Sequence, residues 1–267
     1  MAPARPAVLV IAGSDSSGGA GLTRDVRSLE AMGAEALCAL TAVTAQTDAQ
    51  VRAVHRVPAA HVRAQIEAAF ATRRIDAVKI GMLVDRATLE AVADALGNAP
   101  SVPVVLDPVL RASSGAALLK DERYERLRAR LFPLTTLLTP NLPEAAELAG
   151  VRPEPDPAPA RILEWAHGLL EQGVRAVLVK GGHASGAEAA DVLVQPDQEP
   201  LWLGAPRLTA TRRGTGCALA SAIAAALAAG EDLPAACRRG RAHVRALLAE
   251  IEDGTAARPT ATLQVKT

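Results

Sequence analysis

A turn formed by Gly214, Thr215 and Gly216 leads directly into Cys217 and an alanine-rich helix. The first N–H groups of a helix have no partner within it, and the macrodipole adds to their attraction for anions. Glycine leaves these amides open to a ligand, so the turn can stabilise charge on a phosphoryl group during transfer. Such a site is also expected to lower the pKa of the Cys217 thiol. The simpler alternative is that Cys217 is a small buried residue.

Four polar residues follow short apolar segments typical of strands: Asp107 in LDPV, Asn141 and Glu144 in TPNLPEAAEL, and Lys180 in VLVKGG. In open α/β sheets, ligands bind outside the carboxyl ends of the strands. The oxygens of Asp107, Asn141 and Glu144 suit hydrated Mg²⁺. Lys180 suits a phosphate, because burying an ammonium without a partner is costly. The alternatives are a turn or helix cap at Asp107 and a capping box between Asn141 and Glu144.

The glycine-rich segment AGSDSSGGAG, residues 12–21, comes directly after the first predicted strand. Its glycines favour a loop that contacts a ligand over a plain turn. The segment does not match G-x-G-x-x-G, which argues against a nicotinamide oxidoreductase. By itself, Asp25 on the next helix is typical of a solvated carboxylate, and His183 is interpreted as a loop residue.

Apolar runs alternate with amphipathic stretches along the chain, which predicts a parallel, doubly wound α/β sheet. The predicted strands are Ala7–Gly13, Glu35–Ala45, Asp76–Met82, Val102–Val109, Thr136–Asn141 and Ala176–Gly182. The predicted helices are Gly21–Met32, Ala59–Arg73, Arg86–Leu96, Ala158–Gln172 and Leu233–Ile251, besides the alanine-rich helix after Gly216. The proline-rich segment 151–160 is expected to be a surface loop within one domain, residues 1–252, with residues 253–267 as a mobile tail.

The composition narrows the classes of function. Of the 267 residues, 49% are hydrophobic, which is enough for a large core. The chain carries 29 basic and 29 acidic side chains, so its net charge favours binding neither to nucleic acid nor to a membrane surface. Only 2% of residues are aromatic, which disfavours a base-stacking platform. The three cysteines are widely spaced and match no metal or disulfide framework, which favours the cytoplasm. No signal peptide is predicted, and the apolar stretch 218–229 is too short to span a bilayer.

These segments, in this order, resemble the hydroxymethylpyrimidine/phosphomethylpyrimidine kinases of the ribokinase-like superfamily. The blocks that carry the resemblance are AGSD-SGGAG, TAVTAQT, DAVKIGML, VLDPV, LLTPNLPEA, VLVKGGH and GTGCALASAIAA. The resemblance implies a three-layer α/β/α sandwich around a mainly parallel sheet, and a homodimer. It implies two phosphorylations with ATP and Mg²⁺, first of 4-amino-5-hydroxymethyl-2-methylpyrimidine and then of its monophosphate.

The same resemblance implies roles for individual residues. Gln46 would recognise the aminopyrimidine edge, and the residues that would line the pocket are Gly13, Asp25, Met82 and Val109. The residues that would organise Mg²⁺ are Asp107, Asn141 and Glu144, with Lys180 on the nucleotide phosphates and Gly214, Thr215 and Gly216 as the anion hole. Cys217 stands where relatives that act on sugars have an aspartate, the presumed base for the substrate hydroxyl.

Five residues at three sites depart from the family pattern. Ser16 replaces a usual proline, Thr47 and Asp48 replace an Asn-Thr pair, and Arg212 and Arg213 replace a Thr-His pair. Arg213 is expected either to contact a phosphate or to be a solvated surface residue. Two rival functions remain open: a pyridoxal or pyridoxine kinase of the same superfamily, and a pyrimidine-binding sensor without activity. Gln46 favours the aminopyrimidine, because an amide both donates and accepts hydrogen bonds.

Overall fold

The structure is a computed structural model that describes residues 4–110, 121–182 and 186–253. Within these ranges the strands are β1 Ala7–Asp15, β2 Glu35–Gln46, β3 Val51–Arg56, β4 Ala77–Ile80, β5 Val104–Leu106, β6 Leu137–Leu138, β7 Val177–Val179, β8 Glu188–Val194 and β9 Leu201–Pro206. The helices are α1 Gly21–Ala31, α2 Ala59–Thr72, α3 Arg86–Gly97, α4 Asp121–Arg130, α5 Leu142–Leu148, α6 Pro159–Glu171, α7 Thr215–Ala228 and α8 Leu233–Glu252.

All of these strands join one sheet in the order β3-β2-β1-β4-β5-β6-β7-β8-β9. The six strands from β2 to β7 in this order are parallel, whereas β3, β8 and β9 pair antiparallel at the two edges. Because β1, β4, β5, β6 and β7 run in the same direction, their carboxyl ends lie along one edge of the sheet. Side chains that follow these strands are therefore brought together, as expected for a ligand site.

Helices cover both faces of the sheet. Alternate residues of each central strand point to opposite faces, and the core divides accordingly. Leu9 and Ile11 of β1 pack with residues of α2, α3, α5 and α6 on one face, including Trp165. Val8 and Val10 pack with α1, α7 and α8 on the other face. The central strands are buried on both faces, which explains their continuous apolar runs.

The three-layer α/β/α fold is confirmed, and each predicted strand and helix is present with shifted ends. The antiparallel strands β3, β8 and β9 and the helix α4 were not predicted. β3 is largely exposed and carries Arg52, His55 and Arg56, so it has no apolar run to reveal it. Helix α4 has the sequence DERYERLRAR, which offers little apolar periodicity.

The segment before α6 is irregular and exposed, as expected of a loop, and strands on both sides of it pair in the same sheet. His183 and residues 254–267 of the expected tail lie outside the described residues. In the part of the chain that is described, no helix is long and apolar enough to cross a membrane.

Candidate active site

A cavity of about 1040 Å³ opens along the edge where the parallel strands end. The residues predicted for the site that line it are Gly13, Gln46, Met82, Asp107, Val109, Asn141, Glu144, Lys180, Gly214, Thr215, Gly216 and Cys217. They come from the ends of β1, β2, β4, β5, β6 and β7 and from the start of α7. The topology of the sheet thus brings together residues as distant in sequence as Gly13 and Cys217.

The start of α7 forms one wall of the cavity. Gly214 is its N-cap, with a left-handed φ of 76°, and a Cβ at this position would clash with the carbonyl oxygen of Gly19. Position 214 therefore requires glycine both for its backbone conformation and for its contact with the glycine-rich loop. The first amides of this 14-residue helix have no partner within it. This wall is therefore suited to an anion.

An ion pair lies directly against the first turn of α7. Lys180 Nζ is 2.8 Å from Asp107 Oδ1 and 4.0 Å from Glu144 Oε2. A Cβ at Gly216 would lie 3.3 Å from Lys180 Nζ and 3.6 Å from Asp107 Oδ2. Only glycine at position 216 leaves this space free. A cation, two carboxylates and helix amides therefore meet in one small region, which suits a phosphate with its metal ion.

The capping box expected between Asn141 and Glu144 is present. Glu144 N donates to Asn141 Oδ1 at 2.9 Å, and Asn141 N donates to Glu144 Oε2 at 2.8 Å. Burial and the neighbouring charge of Asp107 raise the pKa of Glu144 to about 7, against the opposing effect of Lys180. The structural role of the pair is thus established, and both residues still line the cavity.

The residues present fit Mg²⁺ in its usual protein setting. In the chain as described, no three His, Cys, Asp or Glu side chains form a cage made of protein alone. Mg²⁺ is usually held by one or two carboxylates together with water and substrate phosphates. Asp107 and Glu144 offer such carboxylates next to the free space at Gly216 and the first amides of α7.

Two expectations need correction. Asp25 was expected to line the pocket, but its side chain is fully buried and lies outside the cavity lining. Both of its carboxylate oxygens are 2.9 Å from Lys79 Nζ, and Ser221 Oγ donates to Oδ1 at 2.8 Å. Burial lowers the pKa of Lys79, and the charge and hydrogen bond of Asp25, together with the negative groups nearby, more than reverse this, so the pKa of Lys79 is raised. Asp25 therefore neutralises a lysine that itself faces the cavity.

The pKa of Cys217 was expected to be lowered, and it is instead raised to about 11. Burial is the main cause, and the carboxylates of Asp25 and Asp107 add to it. Lys79 and a backbone hydrogen bond from Gly21 act in the opposite direction without reversing the shift. The prediction considered the helix terminus alone and did not count the carboxylates nearby. In this state Cys217 is a protonated thiol.

The apolar end of the cavity is shaped by Gly13 and Met82. A Cβ at Gly13 would clash with Met82 Cε, so glycine here lets the methionine side chain pack against the end of β1. Thr41 Oγ1 donates to the carbonyl oxygen of Met82 at 2.7 Å and fixes the segment after β4. Gln46 and Val109 line the same cavity. A flat heteroaromatic ring with a polar edge suits such a lining.

The sequence analysis did not single out Lys79, Asp15 or Asp191, which also line the cavity. Lys79 interrupts the buried strand AVKI, which is the same signal that identified Lys180. Asp191 accepts hydrogen bonds from Gly181 N at 2.9 Å and from Arg241 Nε at 2.8 Å. It thereby ties the loop that follows Lys180 to α8. No short motif marks Asp191, because its partners are distant in sequence.

The two arginines before the turn lie at the cavity as well. The side chain of Arg213 is 19% exposed and makes hydrogen bonds to the glycine-rich loop and to the turn between β2 and β3. The interpretation of Arg213 as a solvated surface residue is therefore wrong. Arg212 Nη1 makes one long contact, 3.5 Å, to the carbonyl oxygen of Leu247.

Comparisons with known proteins identify the family of the chain. The family model described as phosphomethylpyrimidine kinase matches residues 15–261. A hydroxymethylpyrimidine/phosphomethylpyrimidine kinase of Streptomyces coelicolor is 42% identical over 240 residues, which cover 90% of this chain and 87% of that protein. The crystal structure of a phosphomethylpyrimidine kinase from Clostridium difficile has a TM-score of 0.78 at 34% identity and covers 91% of this chain and 99% of that one.

Pyridoxal kinases are also similar in structure. The Staphylococcus aureus enzyme in complex with pyridoxal has a TM-score of 0.83 at 27% identity, covering 92% of this chain and 88% of that chain. The fold is therefore shared by kinases of two different heteroaromatic substrates, whereas the higher sequence identities belong to the pyrimidine kinases. The family model and the curated relatives together show that the chain belongs to the phosphomethylpyrimidine kinase family.

Proposed function

We propose that the protein transfers the γ-phosphoryl group of ATP to 4-amino-5-hydroxymethyl-2-methylpyrimidine and then to the resulting monophosphate, in thiamine biosynthesis. The observation that carries the proposal is the Lys180–Asp107 ion pair beneath the first turn of α7, at the edge where the strands end. Membership of the family and the names of the curated relatives support the choice of substrate.

The nucleotide is assigned to the part of the cavity between Lys180 and α8. Lys180 and the amides of Gly214, Thr215 and Gly216 bind its phosphates, and Asp107 and Glu144 hold Mg²⁺ together with the capping residue Asn141. When bound, Mg²⁺ neutralises charge on the phosphates. The apolar side chains of Val244 and Leu248 on α8 face the same cavity and suit the adenine ring.

The acceptor is assigned to the end of the cavity lined by Gly13, Gln46, Met82 and Val109. The side-chain amide of Gln46 has both a donor and an acceptor for the aminopyrimidine edge. This placement directs the hydroxymethyl group toward the start of α7. Positioning and neutralisation of charge then supply most of the reduction of the barrier, as is usual for phosphoryl transfer.

The two phosphorylations differ in their demand for a base. When the alcohol is the acceptor, its oxygen gains the phosphoryl group and loses a proton. When the monophosphate is the acceptor, its oxygen is already ionised at neutral pH, because the second pKa of a phosphate ester is about 6. A thiol with a pKa of about 11 is a poor base before substrates bind. We assign Cys217 to contact with the acceptor oxygen. It accepts the proton of the first phosphorylation only as a thiolate, which requires bound substrates to lower its pKa.

Two further assignments concern the cellular compartment of the protein and its oligomeric state. The protein is a cytoplasmic enzyme, which agrees with the free cysteines Cys38, Cys217 and Cys237. It forms a homodimer, and the exposed apolar side chain of Val43, on the face of the edge hairpin opposite to the cavity, agrees with a subunit contact there. Light scattering coupled to size-exclusion chromatography tests the dimer.

A pyridoxal kinase is the second candidate, favoured by the similarity to the Staphylococcus aureus enzyme. Release of ADP should be measured with each alcohol in parallel, at equal enzyme and ATP concentrations with excess Mg²⁺. The proposal predicts a higher kcat/KM for the pyrimidine alcohol than for pyridoxal or pyridoxine. A higher value for pyridoxal would overturn it, and tight pyrimidine binding without ADP release would identify a sensor instead.

A further inference from the structure

Arg213 joins three parts of the chain that are far apart in sequence. Its Nη1 donates to Ser17 Oγ at 3.1 Å, to the carbonyl oxygen of Thr47 at 2.9 Å and to Asp48 Oδ1 at 3.2 Å. Its Nη2 donates to Asp15 Oδ2 at 3.3 Å. The entry to α7, the glycine-rich loop and the turn between β2 and β3 are thus held by one guanidinium group.

Asp15 organises the glycine-rich loop around this contact. Its Oδ1 accepts hydrogen bonds from Ser17 N at 2.9 Å and Ser17 Oγ at 2.8 Å, and its Oδ2 accepts one from Ala20 N at 2.9 Å. The Asp15 side chain is only 4% exposed. Arg213 therefore contacts a carboxylate that is already fixed in the loop, which favours a firm attachment on this side.

The other side of the contact is the end of the β2–β3 hairpin. The pairing of β2 with β3 shifts register between Ala45 and Gln46, so the regular ladder is interrupted where Gln46 enters the cavity wall. Ser16 supplies the missing partners: its Oγ donates to the carbonyl oxygen of Gln46 at 2.9 Å and accepts from Gln46 N at 2.8 Å. The backbone of Gln46 is therefore held by the glycine-rich loop.

The turn after Gln46 is compact and closed by its own hydrogen bonds. Thr47 N donates to the carbonyl oxygen of Gln50 at 2.9 Å, and Thr47 Oγ1 accepts from Gln50 N at 3.2 Å. Arg213 contacts this turn through Thr47 and Asp48. The Asp48 side chain is 68% exposed, so its ion pair is weak compared with that of Asp15. The latch, formed by Arg213 with Asp15 and Ser17 on the loop and with Thr47 and Asp48 on the turn, therefore joins the loop to the hairpin.

We infer that Arg213 is a positioning residue, which through this latch holds Gln46 in place for the acceptor. The departures from the family pattern support this, because Asp48 and Arg213 contact each other directly, whereas Ser16 bonds to the backbone of Gln46 next to them in the chain. The inference rests on the proposed function only in assigning Gln46 to the acceptor.

Hydrogen exchange measured by mass spectrometry tests the latch without any substrate. Arg213→Ala and the exposed variant Asp48→Asn should increase exchange in the segment around residues 46–51, and to a greater degree for Arg213→Ala. The control is Arg239→Ala, which removes an arginine paired with Glu231 on the surface of α8 and should leave that segment unchanged. Unchanged exchange in both latch variants would overturn the inference.

Steady-state kinetics test the positioning role. Loss of hydrogen bonds to a charged group should raise the KM for the pyrimidine alcohol by about 10- to 100-fold in Arg213→Ala. The KM for ATP and kcat should change much less. Arg213→Lys should keep most of the rise in the KM for the pyrimidine alcohol, because an ammonium cannot make the several directed hydrogen bonds of the planar guanidinium group. An equal rise of both KM values, or a fall in kcat alone, would contradict the inference. If the wild-type protein does not turn over the alcohol, the proposed function fails, whereas the exchange experiment still decides the latch.

Discussion

Lys180 and Asp107 form an ion pair of 2.8 Å that lies against the first turn of α7, in a space that a single methyl group at Gly216 would enter. The two residues follow β7 and β5, which are separated in the sheet only by β6. Their contact places a cation and a carboxylate next to the amides of the helix. Because of this relationship we propose the start of α7 as the site of phosphoryl transfer, and specific predictions follow from that proposal.

Gly216→Ala should separate activity from stability. Alanine is the better helix former, so the free energy of unfolding should stay equal or rise by about 0.5–1 kcal/mol. The added methyl group would lie 3.3 Å from Lys180 Nζ and push the ammonium away from its position. We therefore expect kcat to fall by about 10- to 100-fold, because misplaced catalytic groups are costly.

Gly168→Ala in α6 is the matched control, since a Cβ there meets nothing within 4 Å. It should give the same gain in stability, measured by urea unfolding, with unchanged kcat. An active Gly216→Ala variant would show that the space beneath α7 is not used.

Cys217→Ala should affect the two phosphorylations unequally. The alcohol must lose a proton during transfer, whereas the monophosphate is already ionised. The variant should therefore lower kcat with the alcohol by about 10²-fold, the usual size of acid–base assistance, and lower it far less with the monophosphate. Rapid-quench assays with each acceptor measure the two values separately. Equal losses would reduce Cys217 to a packing role.

Glu144 should make the free protein less stable as pH rises. Its pKa in the folded protein is about 7, against about 4.5 when unfolded. Between these values the folded state binds more protons, so the free energy of unfolding falls with increasing pH. The loss from this group should amount to about 1–3 kcal/mol between pH 5 and pH 8. Comparing urea unfolding of the wild-type protein with that of Glu144→Gln, which can keep the capping box, isolates this contribution. A difference that is independent of pH would contradict the raised pKa.

Asp25→Asn should be strongly destabilising, because it leaves the buried Lys79 ammonium without its carboxylate. Breaking such a pair costs about 3–5 kcal/mol. Ser221→Ala removes only one hydrogen bond to Asp25 and should cost about 1.5–3 kcal/mol. The double variant Asp25→Leu with Lys79→Met should be more stable than Asp25→Asn, since it leaves no buried charge. Urea unfolding curves of the three variants test this order, and a cost below about 1 kcal/mol for Asp25→Asn would show that Lys79 is hydrated or neutral.

The sequence could predict the parts of the site that depend on strand ends. Asp107, Asn141 and Lys180 each follow a buried strand, and parallel pairing brings such positions to one edge whatever the details of the helices. Lys79 could have been found by the signal that identified Lys180, a lysine inside an apolar run. The edge strand β3 could not have been predicted, because its exposed residues carry no apolar pattern.

The remaining features depend on contacts across long distances in sequence. Arg213 bonds to Asp15 and Asp48, which precede it by 198 and 165 residues, and no local pattern announces these partners. The pKa of Cys217 was predicted with the wrong sign because burial and two carboxylates outweigh the effects that lower it. The direction of such a pKa shift can be predicted only when the burial of the group and its distances to the surrounding charges are known.

A time course followed by ³¹P nuclear magnetic resonance tests the central claim most directly. Purified protein is incubated with ATP, Mg²⁺ and 4-amino-5-hydroxymethyl-2-methylpyrimidine, and Gly168→Ala and Gly216→Ala are run beside it. The account predicts a phosphomonoester signal that appears first and then gives way to a diphosphate, at equal rates for the wild type and Gly168→Ala and much more slowly for Gly216→Ala. ATP that is unchanged, or hydrolysed only to inorganic phosphate, would contradict the account.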